Sequence, residues 1–409
     1  METVSSPARS RMQEVVPQLR SLAIRALARM YRPEEHLFAF RLRRKNGAMA
    51  LEGISPRYTA IALLGLAGET EEIATGVLGG QSPHEVCEGL IQRAQQTDDL
   101  GEMALTLWAA RVLQHPRAGA ALERLRSMRP ADGRYPTVEV AWALSALTAQ
   151  NGEVADAAEA KAIAGRLLAS FRPETALFPH WPAGARVLSF RSHVSCFADL
   201  VYPIQALSHY YRATRCSEAL EAARACAKRM CDMQGPDGQW WWHYDVRTGR
   251  VIESYPVYAV HQHSMAPMAL FALQDVCNTD HTDATVKSLK WLTAAPEIGG
   301  SLIDTQAGVI WRKVARQEPF KISRRTQALA SCLHSSLRVP GLDRAFRPRA
   351  IDHESRPYEM GWILYAWTRE RICRMPSLAT QAELEMRCAG VRSPGLGCAL
   401  GRCRRQECH

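Results

Sequence analysis

Apolar residues occur along the chain in six helical runs, and turn-forming residues precede several of them. The runs cover residues 58–66, 103–113, 138–147, 197–211, 265–276 and 360–367. Asn46-Gly47 and the stretches 98–101 and 298–300 have the composition of turns between helices. The pattern predicts six α-hairpins, and their number indicates a closed ring.

The turn at 234–240 has the sequence Gln-Gly-Pro-Asp-Gly-Gln-Trp and follows a helical segment at 226–233. Pro236 presets φ, and Gly238 accepts positive φ without a clash of a Cβ atom. A related turn lies 105 positions earlier, at 129–135, and matches without gaps. The match indicates an internal repeat, and two hairpins of about fifty residues fit in the interval.

Residues 227–240 resemble the glutamine-tryptophan repeat of the squalene and hopene cyclases, in which a helix ends shortly before a Q-x-P-D-G-x-W turn. They are similar, more loosely, to the repeats of protein prenyltransferase β-subunits. The resemblance implies an all-α fold, an (α/α)6 toroid of about six α-hairpins whose inner and outer helices surround a central cavity. We also expect a short β excursion near 240–255.

The chain is predicted to divide into three parts. Residues 1–32 hold an amphipathic helix that packs outside the ring, with apolar residues at helical spacing. Residues 33–374 form the toroid domain. The pattern fails after Pro376, and residues 375–409 are predicted to be a mobile tail rich in cysteine and arginine.

Composition limits the classes of function. Of 409 residues, 47% are hydrophobic and 22% charged, so the chain can bury a large core. The net charge of +10 is partly a property of the end of the chain, and no motif of a nucleic-acid-binding module is visible, so no nucleic-acid partner is predicted. No run has the roughly 20 apolar residues of a transmembrane helix. No secretion signal is visible, so a cytoplasmic location is the default, and peripheral contact with a membrane stays open.

Cysteines and carboxylates do not form a convincing metal motif. Seven of the twelve cysteines lie in helical segments, where they are expected to be small buried apolar residues. Asp98, Asp99 and Glu102 resemble the aspartate-rich pattern of class I terpene synthases, but carboxylates that cap a helix are the favoured explanation. We therefore predict neither a metal site nor a cofactor.

Ionisable and aromatic residues concentrate at three junctions between a loop and a predicted inner helix, at 191–203, 240–263 and 351–358. In a toroid such junctions face one mouth of the cavity. Histidine and carboxylates are the usual proton-transfer groups. The predicted catalytic residues are His193, Asp245, Glu253, Tyr258, His261, His263 and Asp352. The predicted substrate-binding residues are Arg191, Tyr202, Trp241, Trp242, His243, Tyr255, Glu354, Arg356 and Tyr358.

Three functions stay open. The resemblance implies a terpenoid cyclase or prenyltransferase-like enzyme, although the D-x-D-D acid motif of hopene cyclases is absent. The second is a carbohydrate-active toroid of glycoside hydrolase, epimerase or polysaccharide lyase type that acts on an anionic sugar. The third is a toroid that binds a partner without catalysis.

Each function predicts a different cavity. An isoprenoid site predicts a cavity walled mainly by Phe, Leu and Met. A sugar site predicts an open cleft where Trp241, His243, His261 and Asp352 converge. A binding protein predicts no convergent ionisable pair. In each enzymatic case the partner is a small-molecule substrate, and the sequence does not determine the oligomeric state.

Overall fold

The computed structural model describes residues 7–149, 154–182, 185 and 190–374, and the side chains of those between 14 and 373. The predicted tail at 375–409 lies outside these residues. The helices are α1 (Pro7–Met30), α2 (Pro56–Leu66), α3 (Glu71–Val77), α4 (Pro83–Ala94), α5 (Leu100–Val112), α6 (Ala118–Ser127), α7 (Thr137–Leu147), α8 (Ala157–Ser170), α9 (Ala198–Thr214), α10 (Ser217–Asp232), α11 (Ala266–Cys277), α12 (Thr282–Thr293), α13 (Ile322–Leu333), α14 (Leu342–Ala345), α15 (Pro357–Ala366) and α16 (Arg369–Arg374).

The strands are short and form small antiparallel sheets. They are β1 (Tyr31–Arg32), β2 (Leu37–Phe38), β3 (Arg41–Lys45), β4 (Ala48–Glu52), β5 (Val194–Cys196), β6 (His243–Asp245), β7 (Arg250–Glu253), β8 (Val257–Tyr258), β9 (Ile303–Asp304), β10 (Val309–Ile310), β11 (Lys313–Ala315), β12 (Ala350–Asp352) and β13 (Glu354–Ser355). A π-helical turn, His261–Met265, directly precedes α11. The β excursion predicted near 240–255 is confirmed by β6 and β7.

Six helices form a closed inner ring. In the order α2, α5, α7, α9, α11 and α15, each packs against the next, and α15 packs back against α2. These helices coincide with the six apolar runs of the sequence. The predicted (α/α)6 toroid is therefore confirmed.

The inner and outer helices differ in burial, as their sequences require. Most side chains of α5, α7 and α11 are buried on every side, which explains the continuous apolar runs. α10 buries a single stripe of small residues and one methionine, with Ala219, Ala222, Ala223, Cys226, Ala227 and Met230 at helical spacing. Such a stripe is typical of a helix with one face toward the core and the other toward solvent.

The outer layer includes the N-terminal helix. α1 packs against α3, α12 and α15 and precedes inner helix α2, as α4 precedes α5 and α10 precedes α11. The N-terminal segment, predicted to pack on the outside of the ring, thus occupies the position of an outer helix before α2. No helix in the described part of the chain combines the length and apolar character needed to cross a membrane.

Glycines allow the first and last inner helices to close the ring. A Cβ added at Gly65 would lie 2.4 Å from the carbonyl oxygen of Gly361. A Cβ added at Gly361 would lie 2.6 Å from the carbonyl oxygen of Ile61. Only residues without a side chain permit this close backbone approach. The contact between α2 and α15 therefore depends on both glycines.

The turn at 234–240 follows α10 in the chain and packs against the outer helix α12. Gly238 has a φ of +98°, and an added Cβ would lie 2.1 Å from the carbonyl oxygen of Lys287 in α12. Gln234 Nε2 donates to the carbonyl oxygens of Gly238 and Ala284, at 3.0 and 2.9 Å. Trp240 is fully buried beneath the turn. The turn therefore fixes two outer helices to each other, a structural role that explains its sequence.

Strands collect at one end of the ring. β3 and β4 precede α2, β5 precedes α9, β6 to β8 precede α11, and β11 to β13 precede α15. All of them therefore lie on the side where these inner helices begin. We call this side the mouth.

Candidate functional site

The strands of the mouth form the walls of a pocket. β5 and β6 pair so that Cys196 lies opposite His243. The loop before β5 is held at the start of α7, because Thr137 Oγ1 donates to the carbonyl oxygen of Pro179 at 2.5 Å. The pocket between these segments has a volume of about 400 Å³. Its lining residues are His180, Trp181, Arg191, Ser192, Val194, Ser195, Cys196, Trp242, His243 and Arg324.

A histidine and an aspartate form a pair at this pocket. His180 Nδ1 lies 3.1 Å from each carboxylate oxygen of Asp199. Asp199 is fully buried in the first turn of α9 and also accepts the backbone N–H of Cys196 at 2.8 Å. The side chain of His180 keeps 42% of its exposure, so the imidazole is accessible from the pocket. The hydrogen bond with Asp199 raises the pKa of His180, against the opposing effect of its burial. An oriented imidazole of this kind can accept and return a proton near neutral pH.

The charge of the pocket lining is positive. Arg191 and Arg324 line it, and Arg191 Nη2 lies 3.3 Å from Nε2 of His243. Burial, together with the nearby arginines, lowers the pKa of His243 far below its usual value, so this imidazole is neutral. No carboxylate is among the described residues that line the pocket, and Asp199 contacts His180. The lining therefore favours a ligand with negative charge.

An aromatic wall continues from the pocket into the ring. The Trp242 and Tyr258 rings stack with centroids 4.3 Å apart, and Trp242 also stacks on His261 at 5.6 Å. Phe197 covers His261 at 4.4 Å. Burial lowers the pKa of His261 to about 3, so its imidazole is neutral and packs as an aromatic ring. This burial argues against a proton-transfer role for His261.

A second group of charged residues adjoins the aromatic wall through an arginine. The Arg312 guanidinium lies 5.1 Å from the Tyr258 ring centroid. Its Nη1 lies 3.0 Å from Glu354 and 3.8 Å from Asp352. Lys313 Nζ also binds Asp352, at 2.8 Å, because β8, β11 and β12 place these residues side by side. Predicted residues Tyr258, Asp352 and Glu354 thus meet around Arg312, which was not among the predicted site residues.

The same group extends to the first turns of α15 and α2. Arg356 Nε donates to Glu354 at 2.6 Å, and its Nη1 donates to the hydroxyl of Tyr58 at 2.7 Å. The rings of Tyr58 and Tyr358 lie 4.7 Å apart. Tyr202 lies deeper, with its ring 5.1 Å from that of Trp142. The predicted residues Tyr202, Arg356 and Tyr358 therefore belong to the ring interior below the mouth.

Glu359 is the least satisfied acid of this region. It lies in the first turn of α15 with no exposed side-chain area, and neither carboxylate oxygen has a hydrogen-bond partner among the described residues. Arg312 Nε is 3.8 Å away. Burial raises the pKa of Glu359 to about 7. A carboxyl group in this state can hold a proton at neutral pH.

Five predicted residues lie in local structural pairs. Asp245 pairs with Arg247 at 2.8 Å, and His193 Nε2 lies 2.8 Å from the hydroxyl of Ser331. The other contacts are those of Glu253 with Arg316, of Tyr255 with Glu297, and of Trp241 with Tyr255.

None of these five residues lines the described pocket. Asp245 on β6 and Glu253 on β7 bind arginines of the neighbouring loops, and His193 contacts Ser331 of α13. The geometry therefore gives them a structural role.

His263 lies in the π-helical turn and is completely buried. Neither ring nitrogen has a partner among the described residues, and burial lowers the pKa to about 3. Trp367 Nε1 donates to the backbone carbonyl of His263 at 2.5 Å. The buried position of His263 gives its ring no access to the mouth.

Three residues at the pocket have the spacing of a metal site. Ligand atoms of His180, Cys196 and Asp199 lie within 4.8 Å of one another. Burial, however, raises the pKa of the Cys196 thiol well above its usual value, whereas metal binding needs the thiolate. Asp199 already accepts hydrogen bonds from the other two residues. The donor set therefore fits a histidine–aspartate pair better than a metal.

The sequence predicted part of the pocket but not its central pair, and of the four residues expected to converge in a sugar cleft only His243 lines the pocket. Arg191, Trp242 and His243 were predicted and line the pocket. His180 and Asp199 were missed as a pair because they lie 19 positions apart, on a loop and on a helix. The available signal was the sequence Phe-Pro-His-Trp-Pro at 178–182, a histidine and a tryptophan held between prolines in a long loop.

The aspartate-rich pattern near residue 99 has the capping role favoured from sequence. Asp99 is the N-cap of α5, and its side chain accepts the backbone N–H of Glu102 at 2.7 Å. Arg57 Nε also donates to Asp99, at 3.0 Å, and its Nη2 donates to Glu139 at 2.6 Å. Arg57 therefore joins the beginnings of α2, α5 and α7.

No family model and no curated protein matches the chain. Solved structures do resemble it. An unsaturated glucuronyl hydrolase specific for heparin has a TM-score of 0.54 and 14% identity, covering 87% of this chain and 96% of that chain. A sugar epimerase from a ruminal bacterium has a TM-score of 0.57 and 11% identity, covering 86% and 98%.

Cellobiose 2-epimerase from Bacillus thermoamylovorans has a TM-score of 0.59 and 10% identity, covering 88% of this chain and 100% of that chain. At these identities the similarity concerns the fold, and it extends over nearly the whole length of each protein. The chain thus shares its toroid fold with proteins described as sugar hydrolases and sugar epimerases.

Proposed function

We propose that this protein is a carbohydrate-active enzyme that acts on an acidic sugar at the mouth of its toroid. The observation that carries the proposal is the His180–Asp199 pair at a pocket lined by arginines. The pair supplies a proton-transfer group, and the arginines supply recognition of an anion. The fold that the chain shares with sugar hydrolases and epimerases supports the same class of substrate.

The charged and hydrogen-bonding side chains in the lining favour a sugar over an isoprenoid. A hydrocarbon needs a cavity walled by Phe, Leu and Met, whereas Ser192, Arg191, His243 and Arg324 line this pocket. Trp181 and Trp242, which are both half-buried, add apolar surface of the kind on which sugar rings pack. The volume of about 400 Å³ lies in the range of small-molecule sites.

The chemistry that fits these groups is removal of a proton from the carbon next to the sugar carboxylate. His180 takes this proton, and the electron pair of the C–H bond moves into the carboxylate. Arg191 and Arg324 line the pocket as positive charges that stabilise the resulting dianion. Asp199 orients the imidazole and stabilises its protonated form.

This dianion can react in two ways. A proton delivered by water to the opposite face gives the epimer of the sugar acid, and His180 then releases its own proton to solvent. Alternatively, the bond to the oxygen substituent at the next carbon breaks and the leaving oxygen takes the proton from the His180 imidazolium, which gives an unsaturated sugar acid and a free hydroxyl group. Both outcomes begin with the same proton transfer to His180, so one measurement tests both.

The test is exchange of the proton next to the carboxylate in D2O. We would incubate the protein with oligosaccharides of glucuronate and of galacturonate and follow that position by NMR. The wild-type protein is expected to exchange, epimerise or cleave one of them. His180→Ala should reduce the rate by roughly 10²- to 10⁴-fold, the usual contribution of a general base.

The matched control is His84→Ala, which removes an exposed histidine from outer helix α4. It should leave the exchange rate unchanged. Exchange that survives His180→Ala would contradict the assigned base. Turnover of cellobiose, with no turnover of either acidic sugar, would contradict the substrate class.

A further inference from the structure

A second pocket lies at the opposite end of the ring, where the inner helices end. Its volume is about 310 Å³. Leu64 at the end of α2, Val112 at the end of α5 and Asp275 near the end of α11 contribute to its wall. It is therefore separated from the mouth by the length of the inner helices.

Two buried polar side chains at this pocket each have one atom without a hydrogen-bond partner in the described part of the chain. Gln205 and His209 lie one turn apart on the same face of α9 and are 0% and 8% exposed. Gln205 Nε2 donates to the hydroxyl of Tyr365 at 3.2 Å, which leaves Gln205 Oε1 without a partner among the described residues. Nδ1 of His209 has none either. Because buried polar atoms are almost always satisfied by protein, water or ligand, this pair indicates a bound polar group.

The described residues of the pocket rim carry one excess positive charge. Arg371 is neutralised by Asp275, at 2.7 Å, and its guanidinium lies 4.4 Å from the Phe271 ring centroid. Arg212 lies on α9 one turn beyond His209 and has no ion-pair partner among the described residues. Burial and the charge of Arg212 lower the pKa of His209 to about 3, so this histidine is neutral. The rim therefore suits a ligand with a single negative charge.

We propose that this pocket is a second binding site, for a hydroxylated carboxylate no larger than one sugar ring. The carboxylate binds Arg212, and ligand hydroxyl groups donate to Gln205 Oε1 and to His209. Gln205 and His209 both line the pocket, so their side chains are within reach of a ligand bound there. Leu64, Val112 and Met268 supply the apolar part of the wall.

Three probes that share one ring test the ligand class: D-glucuronate, D-glucose and D-glucosamine, which are anionic, neutral and cationic. Their binding to the full chain is measured by calorimetry at neutral pH. Glucuronate is expected to bind at two sites, the mouth and this pocket. Glucose should bind the second site at least tenfold more weakly, and glucosamine weaker still.

Arg212→Gln should weaken glucuronate binding at this pocket by at least tenfold and leave binding at the mouth unchanged. The matched control is Arg215→Gln, an exposed arginine at the end of the same helix that does not line the pocket. It should leave both events unchanged. A shift of the His209 NMR signal on addition of glucuronate, identified with His209→Gln, should follow the second event.

The outcomes separate this site from the proposed function. If calorimetry shows one binding event, and Arg191→Gln abolishes it while Arg212→Gln does not, the second site is overturned. If there is one binding event and only Arg212→Gln abolishes it, the second site is supported and anion recognition at the mouth is contradicted. Binding of glucosamine as tight as that of glucuronate would overturn the proposed ligand class.

Discussion

Nδ1 of His180 faces the carboxylate of Asp199 at 3.1 Å from both oxygens, and this contact attaches a loop to the first turn of an inner helix. The loop supplies the accessible imidazole, and the helix supplies a buried carboxylate whose position the backbone N–H of Cys196 also fixes. The same arrangement predicts how the imidazole titrates.

Asp199→Asn should lower the pKa of His180. The hydrogen bond to the carboxylate raises this pKa, and a neutral amide of the same shape keeps the position of the ring without stabilising its charge. An NMR titration of His180, with its signal assigned through His180→Ala, should give a lower midpoint in the variant. Because a base acts when deprotonated, the acid limb of the rate profile should move to lower pH as well. A midpoint that stays in place would show that Asp199 does not set the pKa, and the signal of exposed His84 serves as the control.

Glu359→Gln should stabilise the protein at neutral pH. Burial raises the folded-state pKa of Glu359 from 4.5 to about 7, so the folded protein keeps a proton that the unfolded chain releases. Wild-type stability therefore falls relative to the variant as pH rises from about 4.5 to about 7. Above that range the difference in free energy of unfolding should reach about 3 kcal/mol in favour of the variant. Urea unfolding at pH 4 and pH 8 measures it.

Glu354→Gln is the control with the opposite sign. Burial acts to raise the pKa of Glu354, but Arg312 and Arg356 outweigh it and hold the pKa below its usual value. The ionised group is therefore stabilising at neutral pH, and this contribution is lost as pH falls through the folded-state pKa. The variant should be less stable than wild type at pH 8 and closer to it at low pH. The same sign for both variants would contradict these charge states.

Arg57→Gln should reduce the free energy of unfolding by roughly 1 to 2 kcal/mol. Arg57 joins Asp99 and Glu139, and Glu139 is only 15% exposed, so the substitution leaves a largely buried carboxylate without its cation. Arg129→Gln is the matched control, because the pair of Arg129 with Asp132 is exposed and should contribute less than about 0.5 kcal/mol. Equal losses would show that Arg57 does not join the helix beginnings.

Gly361→Ala should weaken the closure of the ring. The added Cβ would lie 2.6 Å from the carbonyl oxygen of Ile61, and α2 and α15 would have to separate. We expect a loss of about 3 kcal/mol, measured by urea unfolding. Gly89→Ala is the control, since the space around this glycine in α4 is open, and it should stabilise by roughly 0.5 to 1 kcal/mol. A neutral Gly361→Ala would mean that the two helices can move apart freely.

The sequence predicted several ionisable and aromatic residues of the site without predicting which residues they contact. Arg191, Trp242 and His243 line the pocket as expected. Asp245 and His193 come from the same segments but bind Arg247 and Ser331. Neighbours in sequence point to opposite faces of a strand, so a cluster in the sequence separates in the fold.

The sequence by itself determined the six helical hairpins and the turn at 234–240. Continuous apolar runs and a glycine with positive φ are local features, and their cause lies within a few residues. Tertiary structure alone decided which ionisable groups meet. His180 and Asp199, or Arg312 and Glu354, become partners only when the ring closes and strands from distant segments align. Burial, which sets the charge of His261 and of Glu359, likewise depends on the packing of the whole ring.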